Sequence, residues 1–214
     1  MTEKRSGLPI KLFLLCVLAA GANFLLNTLS VYFIKIPLFL DTVFTAVVSF
    51  TAGVFPGIIT ALFSFTALCI RNGNFDPFIL CAIAEVLLIC GLKPKHPGKR
   101  HPGLPATVLN SFVSVFARLM VLYIVCTITI SVLGGLIDFF YYTVWANPKL
   151  YFSAEDTFKM GLLRSGIPVL AMNIFSRIPV NMVDRFIVIF GGYFISRVIG
   201  KLMRRGDRKV TVTG

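Results

Sequence analysis

The chain has 214 residues, of which 57% are hydrophobic and only 14% are charged. A typical soluble domain carries about 25% charged residues, so this composition excludes an ordinary soluble domain and indicates an integral membrane protein. The formal net charge of +12 is concentrated at the ends of apolar segments, which is typical of basic flanks beside a membrane and argues against nucleic-acid binding.

Six apolar segments follow one another along the chain and predict an all-α bundle of six transmembrane helices. Their approximate bounds are 8–32, 38–50, 54–70, 77–92, 105–137 and 180–202. The whole chain, 1–214, is expected to form a single membrane domain. Residues 138–179 are predicted to be an outer loop or cap, or an extension of the fifth span, because a separate crossing there would place the basic tail outside.

The basic residues predict the orientation of this bundle. Thirteen of the 21 lysines and arginines lie in residues 4–11, 93–100 and 197–209. With the N-terminus inside, the second group falls inside after four crossings and the third after six, as the positive-inside rule requires. The sequence therefore predicts a multi-pass protein of the cell membrane with both termini in the cytoplasm. The first span also has features of a signal peptide, but apolar sequence continues through residues 24–34, which favours a retained span.

On this topology, polar side chains from three separate parts of the chain meet at the outer face. Convergent polar groups set in apolar walls are what a small-molecule site needs, although the same residues could be ordinary interfacial residues and helix caps. Asp76, before Pro77, is expected to cap the fourth helix. The predicted ligand-binding residues are Asp41, Asn72, Asn74, Arg177, Asn181, Asp184 and Arg185.

Two charged residues lie deeper in the apolar segments. Glu85 falls in the fourth span and Arg118 in the fifth. A charge alone in hydrocarbon is costly, so the two are predicted to form a buried structural ion pair with each other.

Small residues at helical spacing predict a close helix contact. Gly53, Gly57 and Ala61 recur every four residues. Such residues let two backbones approach closely. They are predicted to form a docking surface for a partner protein.

Catalytic and metal-binding patterns are absent from the sequence. There is no GxSxG, HExxH or Walker motif, and the five cysteines show no CxxC spacing. No catalytic residue, metal or cofactor is predicted, and the protein is not expected to be an enzyme. Any active transport would need energy from another subunit.

The chain resembles the substrate-binding S component of energy-coupling factor (ECF) vitamin transporters. The resemblance rests on the predicted six spans and on three segments: 40–42 (Leu-Asp-Thr), 53–61 (the glycine ladder) and 178–185 (Ile-Pro-Val-Asn-Met-Val-Asp-Arg). It implies capture of a vitamin or related micronutrient at the outer face. It also implies assembly with a membrane-embedded coupling (T) subunit and two cytoplasmic ATPases, docked through the small residues Gly53, Gly57 and Ala61 and, in the first span, Ala20.

Two other functions remain open at this stage. The same bundle could be a membrane-embedded ligand sensor that signals to a partner protein without transport, or, as a weaker alternative, a stand-alone channel or carrier. Both signs of charge surround the predicted site, so the sequence leaves the charge of the ligand open.

Overall fold

The computed structural model describes residues 7–34, 38, 40–94, 108–140 and 154–210, and all the regular structure in these ranges is helical. The α-helices are α1 (Gly7–Thr28), α2 (Val43–Ala52), α3 (Val54–Asn72), α4 (Ile79–Leu92), α5 (Val108–Ile137), α6 (Ala154–Arg164), α7 (Val169–Phe186) and α8 (Gly192–Val210). Short π-helical segments continue α1 over Leu29–Ile34 and join α7 to α8 over Ile187–Gly191. The all-helical prediction is confirmed for the described residues.

Four helices in the described ranges are long and apolar enough to cross a membrane. They are Ile10–Phe33, Val54–Asn72, Phe112–Phe140 and Val169–Lys201. The second and fourth predicted spans correspond to the shorter apolar helices Val43–Ala52 and Ile79–Leu92. The length and apolar composition of these helices therefore indicate a membrane protein. The basic loop after residue 94 and the aromatic stretch 141–153 lie outside the described residues.

The last long helix starts earlier than its sequence predicts. Residues 138–179 were expected to form a cap or an extension of the fifth span, and the sixth span was expected to begin at Val180. Instead, α7 begins at Val169 and runs on without interruption through the π segment into α8. Pro179 lies inside this helix rather than ending it, as prolines in membrane helices can.

The short helix α2 lies at the centre of the bundle and contacts α1, α3, α4 and α8. Its side chains Val43 and Ala46 join the largest core cluster together with Ile89 of α4, Leu122 of α5 and Ile189 of the π segment. Large apolar side chains cover much of the outer surface as well, for example Ile70 at 78% and Phe55 at 74% exposure. An apolar exterior of this kind suits lipid rather than water.

A buried asparagine ties the first three helices together. The Asn23 amide nitrogen donates to Thr45 Oγ1 at 2.9 Å and to Ser64 Oγ at 3.0 Å, and its oxygen accepts from the Phe44 backbone N–H at 2.8 Å. Asn23 is fully buried, and both N–H groups of its side-chain amide have acceptors. We call this group the Asn23 junction.

Candidate functional site

The most unusual feature of the interior is a charged group between α4 and α7. Arg185 of α7 donates from Nη1 to Glu85 Oε2 of α4, and from both Nε and Nη2 to the Oδ2 atom of its neighbour Asp184. These side chains are almost wholly buried, with exposures of 1% for Glu85 and 0% for Asp184. The sequence predicted Asp184 and Arg185 as site residues, and the structure brings Glu85 to them.

The segment before α2 completes this group. Asp41 is buried and lies within electrostatic range of Asp184, Arg185 and Glu85. The Thr42 side chain lies beside Glu85. We call Asp41, Glu85, Asp184 and Arg185 the acidic cluster. It contains three carboxyl groups and one guanidinium, so its acidic groups outnumber its basic group.

Some atoms of the cluster and of the neighbouring Thr42 have no hydrogen-bond partner in the part of the chain that is described. They are the buried atoms Glu85 Oε1, Asp184 Oδ1 and Thr42 Oγ1. The Thr42 hydroxyl is near Glu85, but not in hydrogen-bond geometry with it. A buried polar atom left unpaired costs about 1–3 kcal/mol. Despite the number of acids, no group of three or more His, Cys, Asp or Glu side chains in the described ranges could hold a metal ion.

The other predicted ligand residues have different contacts. Asn181 is buried and donates to Ser131 Oγ at 3.0 Å, which ties α7 to α5. Asn72 and Asn74 are exposed at the α3–α4 turn, where Asn74 bonds weakly to the Asn72 carbonyl oxygen at 3.5 Å. The structure therefore groups Asp41, Asp184 and Arg185, pairs Asn181 with Ser131 one helical turn before Asp184, and leaves Asn72 and Asn74 exposed at the turn.

Arg177 forms a second buried ion pair, with Asp138. Its Nε and Nη2 atoms donate to the two carboxylate oxygens of Asp138, each at 2.8 Å, and Lys159 of α6 donates to Asp138 Oδ2 at 3.2 Å. The guanidinium also lies over the Phe78 ring, 4.3 Å from its centroid. This pair joins α5, α6 and α7, and both carboxylate oxygens are used, so Arg177 has a structural partner.

Asp138 was not among the predicted site residues. It stands directly at the end of a long apolar span, and a lone acid in that position is a signal for a buried partner. The partner lies 39 positions along the chain, and nothing in the local sequence points to it.

Asp76 was predicted to cap α4, but the capping position is Phe78, which makes no side-chain capping bond. The Asp76 carboxylate instead accepts the Phe78 backbone N–H at 2.9 Å within the turn that precedes the helix. Burial raises the pKa of the Asp76 carboxyl above its ordinary value, while the hydrogen bond from Phe78 and the nearby Arg177 lower it in part. Asp76 thus belongs to the turn and not to the acidic cluster.

The predicted pairing of Glu85 with Arg118 is wrong. Glu85 pairs with Arg185, whereas Arg118 is exposed on the outside of α5. The reason is the rotation of α5 about its axis: Leu119 and Leu122 face the core, so Arg118 faces outward. The depth of a residue along its helix was predictable, but the direction of its side chain depends on how the helices pack.

The small-residue ladder lies inside the bundle. Gly57 packs so closely that an added Cβ would meet the Ser49 side chain and lie 2.8 Å from Val86 Cγ1, and Ala61 is fully buried. Gly57 and Ala61 therefore form an internal seam between α3 and its neighbours α2 and α4, and not an exposed docking face.

The other two predicted docking residues also have internal roles. Gly53 has a backbone φ of 97°, a conformation that favours glycine, at the break between α2 and α3. Ala20 is only 5% exposed and lines an apolar groove of about 730 Å³ between α1 and α3. The structure thus offers no continuous docking surface made of the four predicted residues.

Comparisons with protein-family models, with curated proteins and with solved structures found no match to this chain.

Proposed function

We propose that this chain is a membrane-embedded substrate-binding subunit, similar to the S component of an ECF transporter, and that it captures a small vitamin-like micronutrient at the acidic cluster. The observation that supports this proposal best is the set of unpartnered buried atoms on Glu85, Asp184 and Thr42. Buried polar groups in a purely structural role are nearly always paired. Intramembrane ionisable residues that lack a full set of partners are good candidates for ligand contacts.

The chemistry of these atoms favours one class of ligand. Carboxylate oxygens only accept hydrogen bonds when ionised, and the cluster holds more acid than base. A ligand that offers N–H or O–H donors, and above all a positively charged group, would satisfy Glu85 Oε1 and Asp184 Oδ1 together. Since the cluster is closed to solvent, ligand entry would require the segment around Asp41 or a neighbouring helix to move.

The charge pattern supports a topology in the membrane for the proposed subunit. The chain would cross the cell membrane six times, with the short helices α2 and α4 as two of the crossings, and both termini would lie in the cytoplasm. Energy for uptake would come from a coupling subunit and two ATPases, since the chain itself has no nucleotide-binding motif. Cysteine labelling of intact cells would then modify an Asn74→Cys variant and spare a His96→Cys variant.

The proposal is tested by titrating the purified protein with water-soluble vitamins of different charge: thiamine as a cation, riboflavin as a neutral compound, biotin and pantothenate as anions. The thermal unfolding midpoint is the readout. A ligand at 100 times its Kd stabilises the folded state by about 2.7 kcal/mol. Glu85→Gln and Asp184→Asn each remove one acceptor and should weaken binding about 5–150-fold.

Asn74→Ala is the matched control, because Asn74 is exposed at the α3–α4 turn and contacts only the Asn72 carbonyl oxygen among the bonds described for its side chain; it should leave affinity unchanged. Wild-type affinity in both Glu85→Gln and Asp184→Asn would place the binding site elsewhere. A ligand that binds at the cluster while no ATPase copurifies from the native membrane would favour a sensor over a transporter.

A further inference from the structure

Arg118 is a cation in a membrane-spanning helix, and no ion pair within the described structure accounts for it. It lies in the membrane-spanning helix Phe112–Phe140, roughly 9 Å along the axis from Phe112 at 1.5 Å per residue. Its side chain is exposed on the outside of the bundle, and no carboxylate of the described residues pairs with it. A guanidinium at that depth is unfavourable in hydrocarbon unless it reaches an anion or the lipid headgroups.

The neighbouring sequence does not supply the missing anion. The connection between α4 and α5, residues 95–107, contains Lys95, Lys99 and Arg100 and has no aspartate or glutamate. Glu85 and Asp184 contact Arg185, Asp138 contacts Arg177, and Asp76 accepts the Phe78 backbone N–H. None of these carboxylates is the counter-charge for Arg118, which leaves this cation able to bind an anion from outside the chain.

A second cation stands beside Arg118. A pocket of about 310 Å³ opens between the end of α4 and residues 117–121 of α5, and Lys93 and Arg118 both line it. Its remaining lining is Gly91, Leu92, Ala117 and Val121. Lys93 uses one of its three donors on the Ser49 carbonyl oxygen at 3.4 Å. Pockets of about 300 Å³ and above are large enough for small ligands.

We infer that this pocket binds the phosphate of an anionic phospholipid, with Arg118 and Lys93 on the phosphate and Leu92, Ala117 and Val121 against the first carbons of the lipid. Basic pockets between membrane helices recognise lipid head groups in this way. The occupant is a lipid rather than a soluble anion because the pocket lies on the outer surface of a membrane-spanning helix and is apolar apart from its two cations. In the proposed topology it faces the cytoplasmic leaflet, where anionic lipids are concentrated.

The test is native mass spectrometry of the purified, delipidated full-length protein. It is titrated with phosphatidylglycerol, with phosphatidylcholine and, separately, with inorganic phosphate in competition. Each cation near a charged lipid surface contributes enough for about a five-fold change in affinity. Arg118→Gln and Lys93→Gln should each weaken phosphatidylglycerol binding about five-fold, and the double variant about 25-fold.

Arg164→Gln is the control, since Arg164 is an exposed cation in the last turn of α6; it should bind phosphatidylglycerol as the wild type does. Arg118→Lys keeps the charge and should retain most of the binding, which separates loss of the site from loss of folding. Equal binding of the two lipids, full displacement by inorganic phosphate, or wild-type affinity in the double variant would each overturn the inference.

Discussion

Two of the buried polar groups in the bundle, the Asn23 junction and the acidic cluster, differ in one respect. The Asn23 junction joins α1, α2 and α3, and each donor of the Asn23 amide has an acceptor at hydrogen-bond distance. The acidic cluster joins α4, α7 and the segment before α2, and it leaves acceptor atoms of Glu85 and Asp184 unpaired. Both are nearly inaccessible to solvent, so burial alone does not separate them.

The difference shows which of the two groups has hydrogen-bond partners for its polar atoms without a ligand. A fully paired polar network stabilises one arrangement of its helices and needs nothing more. A partly paired network is less stable than it could be, and the remaining acceptors are available to a ligand. The comparison thus assigns the Asn23 junction to the scaffold and supports the acidic cluster as the binding site.

The largest effect is expected from removing the one cation of the acidic cluster. Arg185→Met leaves Glu85 and Asp184 buried without a counter-charge, which should lower the free energy of unfolding by about 3–5 kcal/mol. Unfolding by SDS titration in detergent micelles measures the change. The triple variant Glu85→Gln/Asp184→Asn/Arg185→Met, which carries no charge at these positions, should recover much of the loss. If Arg185→Met unfolds as the exposed control Arg164→Met does, the cluster contributes nothing to the fold.

The second effect concerns the seam that holds α3 against α2 and α4, near the Asn23 junction. Gly57→Ala would drive a methyl group into the Ser49 and Val86 side chains, and overpacking of this kind costs about 1–3 kcal/mol. Gly21→Ala is the matched control, because a Cβ there meets nothing within 4 Å. A Gly57→Ala protein as stable as Gly21→Ala would mean that α3 can move away from α2 at little cost.

The smallest effect is expected at the Asn23 junction itself. Asn23→Leu keeps the approximate size of the side chain and removes three hydrogen bonds. Hydrogen bonds between membrane helices contribute about 0.6 kcal/mol each on average, so the loss should be about 2 kcal/mol. The same SDS titration measures it, with the exposed Asn74→Leu as control. The variant should still bind the ligand proposed for the acidic cluster. Loss of binding at unchanged stability would instead place the binding site at the Asn23 junction.

Much of the secondary structure was predictable because it depends on local patterns. Apolar runs of the right length located α1 to α5, and the acid–proline pair at Asp76 marked the start of α4. The start of the last helix was missed because Pro179 and the polar residues around it are typical of a helix boundary, whereas the surrounding bundle keeps the helix continuous through Val169–Lys201.

The candidate site was predictable only in part. Asp41, Asp184 and Arg185 were identified as polar residues in apolar surroundings, and the structure places them together with Glu85. Asn72, Asn74, Arg177 and Asn181 had the same sequence features, but the first two are exposed, Arg177 pairs with Asp138 and Asn181 bonds to Ser131. Membership of the site depends on which way each side chain points, and an irregular segment or a bundle of tilted helices sets that direction through its packing.

The sequence by itself determined the class of the protein, the positions of most helices and the depth of each charged residue along its helix, because composition, apolar length and helical rise are local properties. Only the tertiary structure decided that Glu85 pairs with Arg185 and not with Arg118, and that Gly57 lies in an internal seam. Glu85 and Arg185 are 100 positions apart. Their contact depends on the rotation of two helices about their axes, which the packing of the whole bundle sets.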